Sequence, residues 1–270
     1  MSPGTAPAPP ASPADHRDAV EIARAAGELL LRIRRALDHG ADPDEVRAEG
    51  DRRSHELIVA ALRERHPDDP VLSEEAIDDR RRLGSERVWI VDPLDGTREF
   101  GEPGRTDWAV HVALVVGGRP VAGAVALPAR ALVLGTAEPP ALAPPSGGPP
   151  RVVVSRTRAP EWSRRLADAL GGVLVELGSA GAKAMAVVLG EADVYAHAGG
   201  QREWDSAAPV AVATAAGAHV SAVDGGPLVY NRPDVWLPDL LVCRPELAET
   251  TLSALATLIP APPPSPDSRQ

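Results

Sequence analysis

Asp92 and Asp95 stand three residues apart in the run Trp89-Ile90-Val91-Asp92-Pro93-Leu94-Asp95-Gly96-Thr97, directly after an apolar strand and two residues before a hydroxyl. Hard divalent cations such as Mg²⁺ take oxygen ligands in near-octahedral geometry, a few from carboxylates and the rest from water and substrate phosphate. A strand ending in Asp-x-x-Asp can share one carboxylate between two ions and give the second to one of them. Glu74 and Glu75 lie just upstream, and a second acidic junction lies far downstream at Trp204-Asp205. Together these are the parts of a two-metal phosphatase.

Each part also has a plainer reading. Asp, Pro and Gly are ordinary turn residues, and Glu is favourable at any helix start. Asp205 reads as an N-cap ahead of Ser206-Ala207-Ala208. The turn Gly178-Ser179-Ala180-Gly181-Ala182-Lys183 opens a helix and holds the only lysine, either as a phosphate grip or as a solvated loop. Ser155-Arg156-Thr157-Arg158 follows a strand and divides between phosphate recognition and an exposed loop. The seven histidines lack metal-ligand spacing and read as surface or satisfied core residues.

The elements that must position these groups follow from periodicity. Apolar spacing over residues 15–38 predicts a helix. Residues 39–50 read as a loop, and a second helix is expected from Asp51, as N-cap, to Arg65. Val71-Leu72-Ser73 and Arg87–Val91 read as strands. Trp108–Val116 and Arg119–Leu127 form a hairpin across Gly117-Gly118, with a further strand over Ala131–Thr136. Residues 138–150 hold six prolines and two glycines and read as a linker. Beyond it, strands are expected at Arg151–Ser155, Val173–Leu177, Ala192–Ala196 and Leu240–Cys243, with helices near Pro160–Leu170, Ala180–Leu189 and Asp205–Ala216. The pattern is α+β in the first half and α/β in the second. It gives an N-terminal lobe at 15–137, the linker at 138–150 and a C-terminal lobe at 151–258, with disordered tails at 1–14 and 259–270.

A net charge of −10 over 270 residues argues against a nucleic-acid polymer as partner. An anionic substrate must then be drawn by local charge, from bound metal or clustered arginine. Cys243 is the only cysteine, which excludes an internal disulfide and fits a reducing cytoplasm. No run of 18 apolar residues is present, so no membrane partner is expected.

The set SEE, WIVDPLDGTREF, GSAGAK and EWDSAAP resembles the inositol monophosphatase superfamily, over residues 15 to 258. Within it the chain is most similar to the CysQ-type 3′(2′),5′-bisphosphate nucleotidases of the actinobacterial branch. The resemblance implies a layered αβαβα sandwich, two or three Mg²⁺ ions, sensitivity to Li⁺ and, as in many relatives, a homodimer. It implies Glu74, Asp92, the Leu94 carbonyl, Asp95 and Asp205 as metal ligands. Gly96 and Thr97 match the phosphate-cradling turn, and Thr97 pairs with Asp51 to activate water, with Glu74 alongside. Ser73 replaces the family's Gly before the Glu pair. Val46-Arg47-Ala48-Glu49-Gly50 departs from the common V-T-x-x-D form before Asp51.

Inositol-selective relatives resemble one another in carrying a Glu shortly before the W-D motif, where this chain has Ala196-His197-Ala198-Gly199-Gly200. The bisphosphate nucleotidases instead resemble this chain in the Ser155-Arg156-Thr157 loop and the turn from Gly178 to Lys183, which implies a small anionic nucleotide, adenosine 3′,5′-bisphosphate, as substrate. Ser155, Arg156, Ser179 and Lys183 are expected to hold it, with Arg98 and Asp107 lining the cleft. The alternatives are a broader phosphatase for inositol 1-phosphate or fructose 1,6-bisphosphate, and a non-catalytic sensor of Mg²⁺ and nucleotide.

Overall fold

Val88, Trp89, Ile90 and Val91 are all fully buried, because the strand that carries them is covered on both faces. The computed structural model describes residues 10–259. Its first sheet contains β1 (Val71–Ser73), β2 (Arg87–Asp95), β3 (Ala109–Val116), β4 (Arg119–Leu127) and β5 (Leu132–Gly135), in that spatial order. β1 and β2 are parallel and the remaining pairs antiparallel. The second sheet contains β6 (Arg151–Ser155), β7 (Val173–Leu177), β8 (Val194–Arg202), β9 (His219–Ser221) and β10 (Trp236–Cys243), in the order β7-β6-β8-β10-β9.

Helices fill three layers around these sheets. α1 (Pro13–Arg34) and α2 (Pro43–Arg65) cover the outer face of the first sheet. The short α3 (Thr97–Phe100) follows β2. α5 (Ala180–Val188) and α6 (Glu203–Ala215) lie between the sheets, and α4 (Glu161–Ala169) and α7 (Ala248–Leu258) cover the second sheet from outside. The result is the expected αβαβα sandwich.

The strand period of two sorts the core. Trp89, Val91, Val110, Val112 and Leu114 pack with α1 and α2. Val88, Ile90, Ala109, Ala113 and Val115 pack with α5, α6 and the inner face of the second sheet. Both halves of the chain thus share one central core. Residues 139–145, from the proline-rich segment, form no regular element. They are nonetheless tied down, since Ala143 N–H donates to Val188 O and Arg244 donates to Ala143 O.

Several boundaries differ from expectation. α2 begins eight residues before Asp51, with Asp42 as its cap and Pro43 in the first turn. Gly50 is not a breaker here. A Cβ on it would lie 2.8 Å from the Phe100 ring, so its bareness lets α2 sit on α3. α1 begins at Pro13 behind a capping box in which Ser12 and Asp15 bond each other's N–H groups, inside the expected tail. α6 begins at Glu203, so Asp205 is a first-turn residue and not the N-cap. β9 and α7 were not anticipated. The rest of the expected tails, residues 1–9 and 260–270, lies outside the described residues. Among the described residues no helix is long and apolar enough to cross a membrane.

Candidate metal centre

The register between β2 and β3 breaks after Asp92, which pairs with His111, and resumes at Asp95, which pairs with Ala109. Pro93 and Leu94 bulge out of the ladder, and such a bulge re-aims the flanking side chains. The bulge is held from three sides. Asp92 Oδ1 accepts the Leu94 N–H at 3.0 Å, buried Ser54 on α2 donates to Pro93 O at 2.7 Å, and Thr97 Oγ1 donates to Leu94 O at 3.1 Å. Gly96 then turns the chain at φ +87°, where a Cβ would also lie 2.9 Å from that of Ser179.

These constraints bring Asp92 and Asp95 to Asp205, in the first turn of α6, with one oxygen of each within 4.8 Å of the others. Asp205 also accepts the Arg202 N–H at 2.6 Å, which fixes its rotamer. Glu74 follows directly after β1, near enough for Asp205 and Asp95 to act on its carboxyl. Three of the expected ligand residues therefore converge from β2 and α6.

Crowded, buried carboxylates resist ionisation. Burial and then Asp205 push Glu74 up to about 7. Burial and the neighbouring Asp95 push Asp205 to about 6. Burial, Glu74 and Asp95 raise Asp92 well above the carboxylate range. Asp51, midway along α2, is raised to about 7 by burial and by Glu75. Asp95 is the exception. Burial acts to raise it, but His111, the Gly181 N–H and Lys183 hold it below its ordinary value. An all-oxygen set with this much unrelieved negative charge fits a divalent cation.

Raised carboxylates mean that the folded chain without a cation holds protons which the unfolded chain releases. Their favourable contribution is complete below about pH 4, near the unfolded value. It is lost as pH rises through the values of about 6 for Asp205 and about 7 for Asp51 and Glu74. The cation-free chain should melt at a lower temperature at pH 8 than at pH 5.5. A divalent cation at 100 times its Kd should add about 2.7 kcal/mol, or about 5–10 °C, at pH 8 and less at pH 5.5. Melting curves at both pH values, with and without Mg²⁺ or Mn²⁺, check this; a cation shift that grows toward acid pH would refute it.

The turn before α5 behaves differently from a phosphate grip. Its Gly178 N–H donates to Asp107 Oδ2 at 2.6 Å and its Ser179 N–H to Asp107 O. The Ala180 and Gly181 N–H groups donate to Asp95 Oδ1 and Oδ2 at 3.2 and 2.6 Å. Ser179 Oγ caps the helix by accepting the Ala182 N–H. Lys183 is buried, and Nζ donates to Gly178 O and Ser179 O. The turn is a cradle for two carboxylates, and the lysine braces it from behind.

The other expected substrate residues are spread along the rim. Arg98 is exposed at the start of α3. Asp107 is paired with Arg105. Arg156 bonds Glu99 Oε1 at 2.7 Å and Glu102 Oε1 at 2.6 Å, and Ser155 Oγ lies 3.4 Å from Thr157 Oγ1. Thr97 donates to Leu94 O and not to Asp51. His111 was missed. It is the one polar side chain in β3, fully buried, with Nε2 3.2 Å from Asp95 Oδ2. A lone polar residue in a strand buried on both faces needs partners, and that was the available signal.

The sequence matches the family model described as the inositol monophosphatase family over residues 15–139 and 151–259, with the gap inside the proline-rich segment. It is 52% identical over 240 residues to the 3′-phosphoadenosine 5′-phosphate phosphatase of Mycobacterium tuberculosis (strain CDC 1551 / Oshkosh), covering 86% of this chain and 89% of that one. It is 34% identical over 233 residues to the 3′(2′),5′-bisphosphate nucleotidase CysQ of Escherichia coli (strain K12), covering 80% and 94%. Among solved structures, CysQ from Bacteroides thetaiotaomicron matches with a TM-score of 0.76 at 31% identity, over 86% of this chain and 97% of that one.

Proposed function

This chain belongs to the inositol monophosphatase family, and from that premise we propose that it is a Mg²⁺-dependent phosphatase that removes the 3′-phosphate of adenosine 3′,5′-bisphosphate to leave AMP. The family is metal-dependent. The observation that carries the reading is the convergence of Asp92, Asp95 and Asp205 within 4.8 Å, in a chain 52% identical to a phosphatase named for this nucleotide. The 5′-phosphosulfate relative is a second substrate on this reading, and sulfur assimilation in the cytoplasm is its setting.

Glu74, Asp92, the Leu94 carbonyl, Asp95 and Asp205 would hold two or three Mg²⁺ ions, whose charge offsets the phosphate dianion and acidifies the attacking water. The chain's own residues supply orientation. The hydroxyl of Thr97 spends its proton on Leu94 O and keeps lone pairs to accept from water. Asp51 would take one proton of the attacking water as the new P–O bond forms, and the 3′-oxygen would leave with the electron pair of the broken P–O bond and take a proton from solvent water, giving AMP and inorganic phosphate. Gly96 turns the backbone toward the phosphate. Ser155 and Arg156, with Arg98, would take the 5′-phosphate, Arg156 exchanging its bonds to Glu99 and Glu102 for it. Lys183, turned inward, acts through Asp95 and not on the nucleotide.

Ala196-His197-Ala198-Gly199-Gly200 offers no carboxylate for sugar hydroxyls, so inositol 1-phosphate should be a poor substrate. Phosphate release with Mg²⁺ should favour adenosine 3′,5′-bisphosphate over inositol 1-phosphate and fructose 1,6-bisphosphate in kcat/KM by at least about tenfold, the worth of one contact at about 1.4 kcal/mol. Li⁺ should inhibit. Equal turnover of all three would overturn the nucleotide assignment and leave the phosphatase.

A further inference from the structure

His111 touches the metal site from behind, at two points that belong to different halves of the chain. Nε2 lies 3.2 Å from Asp95 Oδ2, and Nδ1 lies 3.1 Å from the carbonyl oxygen of Trp204, the residue before Asp205. The ring is fully buried. Gly181 makes room for it, since a Cβ there would overlap Nε2 and press on Ala109 Cβ at 3.1 Å. The first turn of α6 is anchored on its other side as well. Glu203 accepts the Asn231 N–H at 2.8 Å and the Arg232 N–H at 2.9 Å.

We propose that His111 is a positioning residue: a strut that sets the separation between the Asp95 carboxylate and the first turn of α6, and thereby the bite of Asp95 and Asp205 on a cation. The inference rests on the metal-site reading above and deepens it. Asp95 would otherwise be oriented only by two N–H groups from α5, with no hydrogen bond from its carboxylate to α6 among the described residues. A single rigid ring between the two removes that freedom. Metal ligands are commonly oriented by outer partners of this kind, and losing one typically costs about 10–100-fold in metal affinity.

The geometry also says which substitutions divide the two contacts. The amide nitrogen of Asn stands where Nδ1 stands, and that of Gln where Nε2 stands. His111→Asn can keep the bond to Trp204 O but gives up Asp95, whereas His111→Gln can keep Asp95. Mn²⁺ binding to the whole chain without substrate, followed by calorimetry and by the electron-spin signal of free Mn²⁺, reads the difference. His111→Asn should weaken Mn²⁺ binding by about 10–100-fold, and His111→Gln should recover most of it. Gly181→Ala, which leaves the imidazole in place chemically but fills its space, should weaken binding as His111→Asn does. This variant decides the matter if His111→Asn does not fold.

Parental affinity in folded His111→Asn or Gly181→Ala would overturn the proposal. So would equal weakening in His111→Asn and His111→Gln, since that marks a core residue and not a strut. A parent chain that binds no Mn²⁺ would sink the metal-site reading itself, which is a different result from a parent that binds and variants that bind equally well.

Discussion

Asp92→Asn should lower the rate of phosphate release by about 10³-fold or more, since cation stabilisation of the transferring phosphoryl group is worth several kcal/mol and each 1.36 kcal/mol is tenfold. The fold should survive. Without a cation, burial, Glu74 and Asp95 all disfavour the charged form of Asp92, and a neutral amide removes that charge. The amide oxygen can still accept the Leu94 N–H that Asp92 Oδ1 accepts at 3.0 Å. Melting without cation should therefore match the parent, while the thermal shift produced by Mg²⁺ should disappear. Loss of activity with the cation shift intact would show that Asp92 is not a ligand. Loss of both melting temperature and activity would show that its role is structural. The paired readout matters because a buried carboxylate can fail a mutational test for either reason.

The cluster of Asp92, Asp95 and Asp205 was legible because its residues lie in short runs with few plain explanations. β2 read as a strand from its apolar run, and the turn after it from Asp, Pro and Gly. The structure adds that the turn is a two-residue bulge braced by Ser54 from α2. The layered fold was legible from the order of elements together with the resemblance, but not where α2 starts. Gly50 carries the same one-letter signal whether it ends a helix or admits a neighbouring ring, and only the position of Phe100 decides.

Contacts made across long separations were not legible. The turn at residues 178–183 has the composition of an anion cradle, and it is one, but the anions are Asp95 and Asp107, each more than seventy residues away. Lys183 drew notice as the only lysine; its buried ammonium braces that turn. His111 lies opposite Asp92 in the register of β2 on β3 and against Trp204, nearly a hundred residues on. Strand pairing and packing, not spacing, assemble such a group.

Asp51→Asn should reduce kcat by about 10²–10⁴-fold, the range for removal of a positioned general base, and should leave the Mg²⁺-dependent thermal shift in place. Asp51 differs from the ligand carboxylates in what surrounds it. It stands on α2, outside the three-aspartate cluster, and after burial the group that raises it to about 7 is Glu75 and not the ligands. An acid with that value changes charge across neutral pH, as a base for water must. With the cation saturating at each pH, the parent should therefore lose kcat/KM on the acid side as Asp51 gains its proton, and the variant should lack that limb. Since Asn can orient water but cannot accept its proton, a kcat near the parent's would leave Thr97 and the cation to do the work alone. A lost thermal shift would instead place Asp51 among the ligands. Set beside Asp92→Asn, the two variants separate holding the cation from moving the proton: the first loses both readouts, the second only turnover.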